Sequence, residues 1–425
     1  MMDPAGAREV IPTKPDDIVR RNIFLNALEG LLYISSGAFV SVQTVLPALV
    51  TRLGGSNVAV GLVGVIAYFG LFLPQLFAAR YVETLPWKKP WVLFYGYVQR
   101  TIITVMGLVV LIMGDTYENI GLWVFLSLYF LNQLSSGIST PGWFDFFAKL
   151  TPGDRRGRLI GIRTSLGGVG ALICGLILTW LLATFRFPLS YAFAFFLAAI
   201  LQFSSLHVQR RMIEAVPSHP VERQPMFEFL GQLPTVLREN MEFRNFIVSS
   251  AFLIVATMPV GFFTVYALKH FEANEEVVGQ FTLAMVAIQV ASALVNGYIA
   301  DHYGNRLALI CAAGGMLLAS VWALLAPSLG WFLMVYVFLG VNLGTEVMAR
   351  YNMSIDYGPA RKRSTYVGLM NTVLAPFYLS GVIGGVICDT FGYAAVFGAG
   401  IFFSVIGMLL LIYKVHDPRV VASHS

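Results

Sequence analysis

Two charged residues, Glu29 and Arg100, lie inside apolar runs long enough to cross a bilayer, where a lone charge is costly. A carboxyl group in such a place can do proton chemistry. Burial raises its pKa and an approaching cation lowers it, which couples proton release to whatever binds. Arg100 sits about ten residues, roughly 15 Å of helical rise, into its own run. The competing reading is therefore a static Glu29–Arg100 contact that ties two helices together. Glu346 and Arg350 stand at the i, i+4 spacing, acid first, that lets them pair within one helix. Such a pair suits a gate, a clamp or a contact to a small solute.

Polar stripes mark the helices that would carry these groups. Asn26, Glu29, Tyr33, Ser36 and Gln43 fall on one face of a first span, and Asn132, Ser136, Ser139, Thr140 and Trp143 on one face of a fourth. Asn342, Glu346 and Arg350 mark a tenth, and Ser250, Thr257 and Thr264 a weaker stripe on a seventh. Because an unpaired polar group is expensive in hydrocarbon, these faces must turn toward protein or a wet cavity. The sixth, ninth and twelfth runs are almost wholly apolar and belong at the periphery.

Hydrophobic residues are 57% of the 425 and charged residues 12%, about half the charged share of a soluble domain. With apolar runs of about 20 residues needed per span, the chain is expected to be an all-α membrane protein with 12 transmembrane helices in two pseudo-symmetric six-helix bundles. The bundles are 22–207 and 244–414, flanked by a tail at 1–21, a linker at 208–243 and a tail at 415–425. Of the Lys and Arg residues, 24 fall on the side of the N-terminus and 3 (Arg52, Arg186, Lys269) on the other. That asymmetry places both termini in the cytoplasm and accounts for the formal charge of +5 without a nucleic-acid partner. The first 21 residues are polar and carry no signal-peptide core. In the linker, Phe227, Leu230, Leu233 and Leu237 give Met226 to Asn240 the pattern of a helix lying on the membrane surface.

Other chemistries lack their equipment. Cys174, Cys311 and Cys388 have no paired spacing for a disulfide or metal, and the six histidines are scattered over loops and tails. No G-x-x-x-x-G-K-[ST] loop occurs. No catalytic group, metal or other cofactor is expected.

One turn remains. Gly297-Tyr-Ile-Ala-Asp301-His-Tyr-Gly304-Asn-Arg306 separates two apolar runs, and a shift of 218 lays Glu83 on Asp301 and Lys88 on Arg306. A shift of 207 superposes the basic loops that begin at Pro152 and Pro359. The chain is thus a parallel repeat, as in rocking carriers. The turn resembles the G-x-x-x-D-x-x-G-x-R/K loop of the major facilitator superfamily. Nearly the whole chain shares the resemblance, although its motifs are specific for fold and not for substrate.

The resemblance implies a secondary active transporter, acting as a monomer, that moves a small solute by alternating access. Its central path would be lined by the first, fourth, seventh and tenth helices. For Gly297, Asp301, Gly304, Arg306, Glu83 and Lys88 it implies a conformational lock, with Asp301 set against a helix N-terminus. An acid in the first helix resembles what some proton-driven exporters of that family use, so proton-coupled efflux from a bacterial inner membrane is the expectation. The aromatic path residues, among them Tyr33, Tyr68, Trp143 and Tyr378, suit an amphiphilic or aromatic solute. Two departures weaken the export reading. The run Gly161 to Gly175 lacks the proline of the family's antiporter signature, and Glu83 and Pro86 replace Asp and Gly in the first turn. A proton symporter, or a non-transporting sensor with the same fold, is the alternative.

Overall fold

The computed structural model describes residues 15–218, 236–358 and 363–417. Among them the secondary structure is helical throughout. Helices α1 (Pro15–Ser36), α2 (Val45–Arg52), α3 (Asn57–Glu83), α4 (Lys89–Met113), α5 (Glu118–Leu150), α6 (Gly153–Thr184) and α7 (Leu189–Arg210) pack on one another as a first bundle. A second is built from α8 (Met241–Ala256), α9 (Val260–His270), α10 (Glu276–Tyr303), α11 (Asn305–Leu325), α12 (Leu329–Leu343), α13 (Glu346–Tyr357), α14 (Arg363–Leu374), a 3₁₀ turn (Ala375–Leu379), α15 (Ser380–Phe391) and α16 (Tyr393–Lys414). Most of the amphipathic stretch Met226–Asn240 lies outside the described residues.

Among the described residues, ten segments are long and apolar enough to cross a membrane. The two expected spans that are less apolar are those of α1 and α5, which carry polar stripes. Large apolar side chains such as Ile112, Trp180, Trp331 and Phe391 stand more than half exposed on the outer surface, as a multi-pass protein bathed in acyl chains requires.

Four expected spans are interrupted. The first breaks between α1 and α2 at residues 37–44, and the seventh at Thr257–Pro259. The tenth breaks at Gly344–Thr345, and the eleventh at the 3₁₀ turn containing Pro376. Proline cannot donate its missing N–H to the preceding turn, which explains the breaks at Pro259 and Pro376. Pro74, by contrast, sits inside an unbroken α3.

The bundles meet along α3 against α15 and α6 against α10, where glycine permits backbone contact. A Cβ added at Gly381 would lie 2.7 Å from the Gly61 carbonyl oxygen, and one at Gly385 2.6 Å from that of Asn57. Gly168 meets Val290 and Gly175 meets Leu283 across the same seam. Gly167, one residue before Gly168, packs on Ile34 within its own bundle.

Polar contacts join the bundles at the end remote from the termini. Asn57 Nδ2 donates to Asp389 Oδ1 (2.7 Å), the Thr44 and Thr282 hydroxyls bond at 2.6 Å, and Arg52 Nε lies 3.2 Å from Glu275 Oε1.

Candidate functional site

Two cavities hold most of the polar side chains singled out above. The first lies between the bundles and encloses about 910 Å³, mouth included. All four helix breaks reach it, through Gln43, Thr257, Leu343 and Tyr378. Interrupted helices are tolerated in a membrane where the freed backbone lines a cavity. The cavity is walled by the stacked rings of Tyr68 and Tyr378, with centroids 4.5 Å apart across the two bundles, and by Phe72 beside them.

Its charge is a pair. Arg350 Nη1 lies 2.8 Å from Glu346 Oε1, both side chains are largely buried, and Arg350 Nη2 donates to the Tyr378 hydroxyl at 3.1 Å. Asn342 also lines the cavity, but its amide is engaged by the Ala312 carbonyl at 2.9 Å. In the first bundle Asn132 does the same to the Gln99 carbonyl, also at 2.9 Å. The two asparagines are repeat-related tethers between neighbouring helices.

The second cavity, about 1120 Å³, belongs almost entirely to the first bundle and is lined by Glu29, Tyr33, Arg100, Ser136, Trp143 and Arg163 among others. Here the structure corrects the expected pairing. Glu29 pairs with Arg163 of α6 and leaves Arg100 aside. Arg163 Nη1 donates to Glu29 Oε2 and to the Asn26 side chain and, at 2.7 Å, to the Asn26 carbonyl. Ser205 Oγ donates to Glu29 Oε1 at 3.1 Å, and the Arg163 guanidinium lies over the Trp143 ring at 5.0 Å. Arg163 read as one of a basic loop cluster; because α6 begins at Gly153, it is ten residues inside the helix, about 15 Å along it.

Arg100 is instead ringed by neutral groups. It donates to the carbonyls of Gln202 (3.2 Å) and Gly96 (3.3 Å) and to Gln99 Oε1 (2.7 Å), and it lies over the Tyr33 ring at 5.2 Å. Ser36 is fully buried and accepts from Gln202 Nε2 at 3.1 Å. Asn26 is likewise buried in the Arg163 clamp, and Gln43 falls beyond the end of α1 on the central cavity, off the helical face its spacing suggested.

The turn motif departs most from expectation. Gly304 has φ +92°, the reversal that glycine tolerates, but a Cβ at Gly297 would meet nothing within 4 Å. Glu83 and Asp301 are exposed. The carboxylates at the two corresponding helix N-termini come from elsewhere. Glu214 accepts from the backbone N–H of Lys88 (3.0 Å) and Lys89 (3.0 Å), and Asp417 accepts from that of Arg306 (3.0 Å). Each acid follows the last helix of its bundle and meets the positive end of a helix dipole. Arg306 Nε in turn donates to the Leu411 carbonyl at 2.9 Å. Lys88, the repeat partner of Arg306, is buried beside Asp145 at 3.7 Å, and burial lowers its pKa. Lys149, four residues past Asp145 on α5, reaches Glu214.

Comparison with known proteins agrees with this architecture. A family model described as Major Facilitator Superfamily matches residues 30–375 and 246–425. A protein of Staphylococcus haemolyticus (strain JCSC1435) named "Putative proline/betaine transporter" is 25% identical over 273 residues, 58% of this chain and 56% of that one. A protein of the same name from Staphylococcus aureus (strain MSSA476) is 24% identical over 218 residues, 49% of this chain and 47% of that one. The chain thus spans about half the length of these curated relatives. Among solved structures, a D-xylose-proton symporter superposes with a TM-score of 0.68 at 13% identity, covering 95% of this chain and 99% of that one. A human organic anion transporter gives 0.62 at 15% identity, covering 92% and 99%.

Proposed function

The chain belongs to the Major Facilitator Superfamily, and from that premise we propose that it is a proton-coupled carrier of a small organic solute that works by alternating access around the central cavity. It is a transporter and not an enzyme. The observation that carries the reading is the convergence of four broken helices, one from the first bundle and three from the second, on one chamber shared by both bundles. A solute held there touches both halves, so their relative tilt decides which side of the membrane it sees. Contacts at the end remote from the termini favour the form closed on that side. With cytoplasmic termini this is the inward-facing form, in which a lock at Asp301 would be released; its exposure fits that state.

The Tyr68–Phe72–Tyr378 wall supports an apolar or aromatic body, and the Glu346–Arg350 pair offers one group of each sign. The names of the curated relatives favour a second class, small zwitterions, since an aromatic wall also receives quaternary ammonium groups. Glu29 is the proton site in this reading. Arg163 is its partner within the same bundle, so a local shift of α6 against α1, beyond rigid tilting of the bundle, would be what frees the carboxyl group for a proton. We retain efflux as the direction, with symport as its competitor, in a bacterial inner membrane and as a monomer.

Proteoliposome flux of proline, glycine betaine and benzoate under an imposed pH gradient tests the assignment. At least one should move with the gradient, its sign giving the direction, and Glu29→Gln should abolish the pH dependence. Full pH dependence in Glu29→Gln removes the proton role, and saturable binding without flux favours a sensor.

A further inference from the structure

The first-bundle cavity holds two guanidinium groups and one carboxylate among its described lining residues. Glu29 is committed to Arg163, with Ser205 and Asn26 completing the clamp. Arg100 is 5% exposed and, among the described residues, no acid lies within ion-pair distance of it. Arginine stays protonated at any accessible pH. A buried cation whose hydrogen-bond partners are all neutral, with Glu29 acting on it only from beyond ion-pair distance, leaves part of its desolvation cost unmet. A helix staple alone would be served as well by an uncharged donor.

We infer that Arg100 is the receiving group of an anion subsite, and that the ligand it takes is an organic carboxylate with an apolar or aromatic body. The geometry favours this class on three counts. The guanidinium lines the cavity, and with Nε and Nη1 engaged by protein acceptors its Nη2 group is the donor left for a carboxylate oxygen. The Ser136 and Ser139 hydroxyls lie on the same wall, offering donors to an anion, while that of Thr140 is donated to the Ser136 carbonyl at 2.7 Å. Trp143, Phe144 and Phe147 supply an apolar surface that a bare inorganic anion would not need. A bound carboxylate also brings the cavity's count of opposite charges to two and two.

The inference rests on the carrier reading for the ligand's being cargo, but its test requires no transport. The full chain in detergent is titrated with benzoate and with benzamide, its neutral isostere, by calorimetry. Benzoate should bind at least about tenfold more tightly, since a hydrogen bond to a charged partner is the stronger kind. Arg100→Gln should erase the difference while Arg100→Lys keeps part of it. If Arg100→Gln does not fold, Ser136→Trp, which fills the cavity and leaves Arg100 its bonds, should abolish benzoate binding. Chloride should compete only at much higher concentration. Equal binding of benzoate and benzamide, undiminished benzoate binding in either loss variant, no saturable benzoate binding, or chloride competing on equal terms would overturn the proposal. Benzoate discrimination without flux sinks the carrier reading alone, and flux without benzoate discrimination sinks this one alone.

Discussion

Breaking the Glu29–Arg163 pair from either side leaves an uncompensated charge inside the first bundle, whereas removing both leaves neutral groups. Loss of one partner of a buried pair typically costs about 3–5 kcal/mol. Glu29→Gln and Arg163→Gln should therefore each lower the melting temperature of the purified protein, and the double variant should recover much of that loss. Additive destabilisation would show that the two side chains do not act as a pair. At this scale the sequence was informative about which groups are buried and poor about their partners. Glu29 was conspicuous because it stands among apolar residues. Arg163 was not, because Arg155, Arg156 and Arg158 precede it closely and disguise a helix interior as a loop. Helix phase would have separated them: the helix starts at Gly153, so the earlier arginines occupy its first turns and Arg163 lies past its second. Partner choice also depends on how α1, α6 and α7 rotate against one another, which local spacing does not encode.

At the scale of elements, glycine contacts set how closely α3 and α15 can approach. Gly381→Ala places a methyl group against the Gly61 backbone, which cannot turn aside as a flexible side chain can. It should weaken closure of that end and raise thiol labelling of a cysteine placed at Asn57. Gly297→Ala, with open space around it, should leave labelling unchanged. The same end carries a pH term. Burial pushes the Glu275 carboxyl up, with Arg52 pulling it back. A carboxyl whose pKa is raised on closing takes up protons as the end closes. Its contribution to closure is fully present below the ordinary carboxyl value and is lost as pH rises through the raised one. Glu275→Gln should flatten the pH dependence of labelling at Asn57. Helix existence was legible from apolar run length. The interruptions were partly so: Pro259 and Pro376 signalled two of them, whereas the break at Gly344–Thr345 and that before α2 depend on contacts made only in the fold. One such contact joins Thr345 to Asn296, and another joins Thr44 to Thr282.

For the whole molecule, the repeat shows more plainly in structure than in sequence. Asn132 and Asn342 tether equivalent helices, and Glu214 and Asp417 cap equivalent N-termini. The asparagines were found because they interrupt apolar runs. The acids were missed because each lies beyond the last helix of its bundle, in a polar stretch where one more acid carries no signal. That displacement explains why, in this conformation, acids outside the turn motif occupy the helix N-termini beside it. Two bundles that pivot as rigid bodies about a shared chamber must open at one end as they close at the other.

Spin-label distance measurement in lipid nanodiscs tests this most directly, using two cysteine pairs in a background lacking Cys174, Cys311 and Cys388. Thr51→Cys with Asn274→Cys, beside the Arg52–Glu275 pair, reports the end remote from the termini, and Thr84→Cys with His302→Cys reports the other. The account predicts two distance populations for each pair, with the short population at one end rising as that at the other falls when pH is changed. A single fixed distance for both pairs, or both ends opening and closing together, would contradict it.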